Sequence, residues 1–448
     1  MSDLVPLLSG FDANDRIGWS DGAEVSAAQF CAAARDLAGR LPPRRFVINL
    51  CNDRLKFALG LAAALIARQT SLLPPSGAVG ALRDLQASHP ESYCLADEKA
   101  EPAAGLPAIL VPPWRPAAGA FEVPSLPAGQ MAYTAFTSGS TGRPQPHSSA
   151  WGSLVGAARR FGQAAGLAVG KRGSVLGTVP PQHVYGLETT VIMPLQFGAA
   201  LHPGRPLLPA DIAAALEELP EPRWMVTTPA HLRACAGGGA SLPRLAGILC
   251  ATMPLSADLA VQAEALSSAP VHEFYGSTET GVIATRRTAR GQRWRTCEGI
   301  RLEQRGEETW AAGGHLVAPA RLPDRIALDS ATEFTLIGRP EDMVKVAGKR
   351  ASLEELNRQL LGVHGVRDGV FFLPESRGAR TARLAALVVA PGCSARDLLA
   401  ALRGRIDAAF LPRPLLIVDA LPRNATGKVT REALLALARH AARGRRIA

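Results

Sequence analysis

The sequence predicts an α/β protein. It should have a large N-terminal domain of mostly parallel sheets, a small β-barrel-like subdomain, and a small C-terminal α+β domain. Three observations predict this. Amphipathic helical stretches alternate with short apolar runs through the first part of the chain. The rhythm changes to short β-like pieces from about Gly291 and changes again after Gly338. The length of 448 residues exceeds what one ordinary core holds.

The elements follow in order. "EVSAAQFCAAARDLAGRL" has helical periodicity and precedes "RFVINLC", a strand by its β-branched content. "RLKFALGLAAALIARQ" reads as a helix and "TSLLPP" as a short strand stopped by prolines. "PAAGLPAILVPPWRPAAGAFEVPSLPAGQ" is an irregular loop-and-strand connection. The alternation resumes in "ADIAAALEEL", "RWMVTTP", "LAGILCAT", "ADLAVQAEALSS" and "VHEFYG". Beyond Gly338, "LEELNRQLLGV" and "ARDLLAALRGRI" read as helices, "GVFFLP" and "LAALVVAP" as strands. Pattern and charge place a boundary near Gly338–Asp342, dividing the chain into 1–338 and 339–448.

The net charge of +10 is concentrated. From Arg339 onward there are 20 Lys+Arg against 10 Asp+Glu, and the preceding part carries 29 of each. A basic C-terminal unit suits an anionic partner or is simply a solvated surface. No stretch reads as a nucleic-acid module, so nucleic acid is not the expected partner. The seven cysteines have no C-x-x-C pair, which suggests reduced thiols and no zinc site. "MSDLVPLLSG" lacks the basic start of a signal peptide. The longest apolar run, Phe57 to Ala67, is too short to span a bilayer. A soluble, cytoplasmic protein without stable membrane insertion is expected.

Four stretches carry chemistry. "TSGSTG" (Thr137, Ser138, Gly139, Ser140, Thr141, Gly142) offers backbone N–H groups and hydroxyls that can crowd around phosphate oxygens. It lacks the Walker spacing and lysine. "EFYGSTETG" ends a predicted strand. Its Tyr275 can stack on a base, Thr278 can donate to phosphate, and Glu279 is a hard oxygen ligand suited to Mg²⁺. "LIGRPEDMVKVAGKR" sets Gly338, Arg339 and Lys345 at the boundary. "LPRNATGKVTREAL" presents Lys428 after a glycine near the end of the basic unit. Each alone reads as a turn with a charge. In series they do not.

In this combination the chain resembles the adenylate-forming superfamily: acyl-CoA synthetases, adenylation domains of peptide synthetases, and luciferases. The family's T-S-G-S/T-T-G-x-P-K corresponds to Thr137–Gly142, Arg143, Pro144 and Gln145. Its Y-G-x-T-E corresponds to Tyr275, Gly276, Ser277, Thr278 and Glu279. Its ribose-binding aspartate falls on Asp324, its Gly-Arg on Gly338 and Arg339, its P-x-x-H-x-x-G on Pro180, His183 and Gly186, and its T-G-K on Thr426, Gly427 and Lys428. Four departures stand out. The loop lysine is Gln145. T-G-D is "LPD". G-G-A-P-L is "ATMPL" (Ala251–Leu255). The hinge residue, normally Asp or Lys, is Glu341.

The resemblance implies ATP- and Mg²⁺-dependent activation of a carboxylic acid, aryl or fatty, to an acyl-adenylate. Transfer to the thiol of CoA or a holo acyl carrier protein would follow. It implies phosphate binding by the loop, Mg²⁺ on Glu279, adenine on Tyr275 and Gly276, ribose on Asp324 with Arg339 nearby, and Lys428 bridging the carboxylate and α-phosphate. It further implies a mobile C-terminal domain that presents Lys345, Gly348 and Arg350 to the thiol acceptor. The acid pocket would take in His183, Val184, Tyr185, Thr252 and Met253. A weakly catalytic nucleotide-binding relative that docks carrier proteins is the alternative, supported by Gln145.

Overall fold

The computed structural model describes residues 3–74, 79–97, 108–116, 119–138, 144–238, 241–338, 343–346, 349–374, 383–423 and 429–444. Among these, two large mixed sheets dominate. The first has six strands in the spatial order Pro144–Ala150, Met131–Ser138, Thr70–Leu73, Phe46–Asn49, Tyr93–Ala96 and Ala108–Leu110. Its strands run parallel except where Pro144–Ala150 folds back on Met131–Ser138. The second has eleven strands. Its centre is parallel: Ser174–Gly177, Arg223–Thr227, Gly247–Cys250 and Val271–Ser277 lie side by side. From Gly281–Arg286 outward it turns antiparallel.

The helix Arg54–Ile66 shows why the sheets stay together. Asp53 caps it, its carboxylate accepting from the Leu55 and Lys56 amides at 2.8 and 2.9 Å. Nearly every residue of the helix is buried, because it packs on strands of both sheets and on the helix Ala27–Arg40. At the start of Ala27–Arg40 the structure departs from the sequence reading. Glu24, Val25 and Ser26 form the end of the strand Ala23–Ser26, and Ser26 closes a capping box with Gln29.

The short β pieces after Gly291 form the antiparallel margin of the eleven-stranded sheet and a separate three-stranded sheet of Ile300–Arg305, Glu308–Gly313 and Ala320–Arg321. The C-terminal subdomain has a hairpin, Met343–Val346 with Lys349–Ser352, and a small sheet of Asp368–Phe372, Ala385–Val389 and Leu415–Ile417. The helices Leu353–Leu361, Ala395–Arg403 and Arg431–Gly444 flank it. Its apolar clusters are its own: Val344, Leu356, Phe371, Val388 and Leu402 pack together, as do Phe372, Leu387, Leu416 and Leu434. All seven cysteines are free, and no helix among the described residues is long and apolar enough to cross a membrane.

Candidate active site

Parallel strands bring their C-terminal ends to one edge, and the loops leaving that edge become neighbours. Gly247–Cys250 and Val271–Ser277 are adjacent strands, so "ATMPL" and "STET" emerge side by side. A buried carboxylate joins them. Glu273 accepts from the Leu255 amide at 3.0 Å and from Arg286 Nε at 2.7 Å, and Thr288 Oγ1 also donates to it. The ion pair is nearly dry, with side chains 4 % and 15 % exposed, and its hydrogen bonds satisfy the buried carboxylate.

Val271–Ser277 turns into Gly281–Arg286 through an irregularity at Tyr275/Gly276. A Cβ on Gly276 would lie 2.1 Å from the Gly281 carbonyl oxygen, so only glycine fits there. The turn leaves Tyr275 half-buried, Thr278 half-buried and Glu279 exposed. Tyr275 donates its hydroxyl to Asp324 Oδ2 at 2.8 Å. Two sequence-predicted residues separated by 49 positions therefore meet. The Tyr275 ring also meets Trp294 and Phe334, with centroids 5.8 and 5.7 Å away, which fixes its plane. Arg325 pairs with Gly338, bringing the strand after Asp324 beside the end of Glu333–Gly338.

Glu279 meets a residue that sequence reading passed over. His147 Nε2 lies 3.5 Å from Glu279 Oε1. His147 stands on the strand that returns from the "TSGSTG" loop, two residues after exposed Gln145 and so on the same strand face. That spacing was the available signal. Thr137 and Ser138 end the outgoing strand Met131–Ser138, and Thr137 pairs with Gln145. Gly139, Ser140, Thr141 and Gly142 lie outside the described residues.

The acid-pocket candidates gather at the same edge. His183 is the N-cap residue of a short helix, Val184–Leu187, whose Val184 and Tyr185 are buried. Tyr185 donates its hydroxyl to the Leu249 carbonyl at 3.0 Å, with the Thr227 carbonyl at 3.3 Å, reaching the ends of two central strands. Burial raises its phenol well above the usual range. Gly186 permits this approach, since a Cβ there would sit 2.0 Å from the Pro180 carbonyl. Thr252 has φ 81°, a left-handed conformation costly for a β-branched side chain. Met253 is half-buried, and Arg423 Nη1 approaches its sulfur at 3.5 Å.

The last contact brings in the C-terminal subdomain. Arg423 makes two bonds to Asp368, at 2.6 and 2.8 Å, and Arg233 Nη1 lies 3.5 Å from the same carboxylate. Lys345 and Arg350 are cross-strand partners in the hairpin. Gly348, Arg339, Glu341 and Lys428 lie outside the described residues.

Fold and site together define an adenylate-forming class. Residues 47–302 match the family model described as "AMP-binding enzyme", and the chain belongs to that family. A 4-coumarate–CoA ligase of Rhodobacter capsulatus is 32% identical over 298 residues, covering 65% of this chain and 73% of that protein. The ATP-bound structure of MatB from Rhodopseudomonas palustris superposes with a TM-score of 0.78 at 17% identity, over 95% of this chain and 96% of that one. The anthranilate CoA ligase AuaEII in complex with anthranoyl-AMP gives 0.77 at 15% identity, over 96% and 94%. The protein is accordingly an enzyme of the AMP-forming acid–CoA ligase family.

Proposed function

We propose that the enzyme uses ATP to activate an aryl or fatty acid and passes the acyl group to a phosphopantetheine thiol, on CoA or on an acyl carrier protein. A substrate carboxylate oxygen attacks the α-phosphorus, the bond to the bridging oxygen breaks, and pyrophosphate leaves. Negative charge collects on phosphoryl oxygens, so the protein's work is positioning and electrostatic stabilisation. The thiolate then attacks the acyl carbon and AMP departs.

The observation that carries this reading is the pair of contacts Tyr275–Asp324 and His147–Glu279, which join three distant segments at one strand edge. On this reading Tyr275 and Gly276 face adenine, and Asp324 takes the ribose hydroxyls with Arg339 alongside. The loop Thr137–Gly142 holds the outer phosphates and Thr278 supports them. Among the described residues no three His, Cys, Asp or Glu side chains gather as a metal cage. Glu279, exposed at the edge, nevertheless fits Mg²⁺, which keeps waters and takes one carboxylate beside substrate phosphates. Bound there, Mg²⁺ would neutralise phosphate charge. His147 steadies the Glu279 carboxylate. Met253, Thr252, His183, Val184 and Tyr185 enclose the acid.

Lys428 supplies the cation for the first step. The C-terminal subdomain, hinged near Glu341, then turns to bring Lys345, Gly348 and Arg350 to the acceptor. Its basic surface attracts the phosphates of CoA or an acidic carrier. The test is Lys428→Ala, assayed in two halves. Pyrophosphate release should be lost, while thiol transfer from a preformed adenylate persists with CoA or holo carrier protein. Loss of both halves in a folded variant contradicts the division of labour.

A further inference from the structure

Glu188 is the one glutamate buried in the helical run that follows His183, Val184 and Tyr185. It is 3 % exposed. It opens a π-helical turn, Glu188–Ile192, set between the helices Val184–Leu187 and Met193–Phe197. Such turns widen a helix at a cost and are frequent at functional sites. The two hydroxyls beside it are spent on the helix itself: Thr189 donates to the Tyr185 carbonyl and Thr190 to the Gly186 carbonyl. Among the described residues none donates a hydrogen bond to the Glu188 carboxyl or pairs with it. A buried carboxyl without a partner is expensive and needs an explanation.

Its position supplies one. A Cβ placed on Gly281 would lie 2.9 Å from Glu188 Oε1 and 3.0 Å from His315 Nε2. The missing side chain at Gly281 therefore leaves the carboxyl uncovered, two residues beyond Glu279. His315 Nε2 faces the Thr280 carbonyl at 2.7 Å, which makes it the donor, and its Nδ1 is buried without a partner. Gly281 is thus flanked by the Glu188 carboxyl and by the His315 ring edge whose Nε2 is engaged by the Thr280 carbonyl. The buried rings of Phe161, Phe274 and Tyr185 pack together, with Phe161 4.6 Å from Phe274 and 5.9 Å from Tyr185 between centroids.

We propose that Glu188 ends the acid pocket and selects aryl acids bearing a hydrogen-bonding hydroxyl or amino group remote from the carboxylate. The inference rests on the activation reading above and narrows its substrate class. Burial raises the Glu188 carboxyl to about 8, so near neutral pH it is protonated and can both donate and accept. A neutral carboxyl suits a phenol or an arylamine better than a fixed cation.

The test compares kcat/KM for pyrophosphate release with benzoate, 4-hydroxybenzoate, 4-aminobenzoate, cinnamate, 4-hydroxycinnamate and octanoate. Wild type, Glu188→Gln and Glu188→Leu are assayed, each first checked for a cooperative melt. In wild type, a hydroxyl- or amino-bearing acid should exceed its unsubstituted parent by about 10- to 100-fold, the discrimination one unmet buried group gives. E188L should abolish that ratio and E188Q should keep most of it. Parents or octanoate used equally well by wild type would overturn the inference, as would an unchanged ratio in folded E188L. If E188L does not fold, E188Q and the wild-type ratio decide. No release with any acid would overturn the activation reading and this inference together; release with a flat preference would overturn this inference alone.

Discussion

At the scale of single residues, two side chains hold conformations or charges that the fold makes costly. Thr252 occupies a left-handed backbone position where the family pattern has glycine. A β-branched residue there costs about 1–3 kcal/mol, and glycine gives back about 0.5–1 kcal/mol in chain entropy. Thr252→Gly should therefore stabilise the protein by about 1 kcal/mol, read as a higher midpoint in thermal or urea unfolding; a lower midpoint would show that Thr252 is held by contacts worth more than the strain. Glu188 gives the second residue-scale prediction. Its folded pKa is raised to about 8 by burial, against 4.5 for an ordinary glutamate. Between those values the folded state holds a proton that the unfolded chain releases. This group's contribution must then lower stability as pH rises, by about 1.4 kcal/mol per pH unit. The groups facing it are Tyr133 and His315; burial moves the former up, out of the window, and the latter from 6.5 down to about 4, so His315 makes stability rise with pH up to about 6.5, a contribution shared by wild type and Glu188→Gln. Glu188→Gln should flatten the fall in stability between pH 5 and 8. An identical slope in both proteins would show that the carboxyl is ionised in the fold.

At the scale of elements, the acid-site loop is held by strand chemistry. Glu273 sits on Val271–Ser277 yet accepts from Leu255 across the neighbouring strand's exit. Glu273→Ala would leave Arg286 and the Leu255 amide with a lost partner in a dry setting. Loss of about 3–5 kcal/mol is expected, measured by denaturant unfolding, with weaker acid binding in whatever fraction folds. A change under 1 kcal/mol would mean the pair is solvated. This is also where legibility in the sequence divides. Helices and strands such as Arg54–Ile66 and Arg223–Thr227 could be read directly, because periodicity and β-branched content act locally. The motif "EFYGSTETG" could be read because its chemistry lies in adjacent residues. Glu273, inside that same stretch, could not be given its role, since Leu255 and Arg286 reach it only through sheet pairing. His147 stands only five residues past the quoted loop, but its partner Glu279 is in a turn of the other sheet. Glu188 stood in an apolar run, and nothing local marks a buried acid as unpartnered. Ser26 was read into a helix that it caps, because capping and strand ending use the same residue types.

At the scale of the molecule, one carboxylate of the C-terminal subdomain, Asp368, anchors its contact with the acid-site side of the N-terminal domain. Asp368 holds Arg423 and lies beside Arg233, and Arg423 reaches Met253 at the edge of the acid site. Arg423 stands five residues before Lys428. Asp368→Ala should unseat this face, lowering the adenylation rate about tenfold, or about 1.4 kcal/mol. Thiol transfer from a preformed adenylate should be spared; equal loss in both steps would place these contacts outside the catalytic cycle. The central claim is that segments far apart in the chain converge so that ATP can activate an organic acid. It is tested most directly by acid-dependent exchange of labelled pyrophosphate into ATP. Exchange should require both Mg²⁺ and an acid, and should fall steeply in Lys428→Ala. ATP binding with no exchange for any aryl or fatty acid would contradict it and leave a nucleotide-binding docking module in its place.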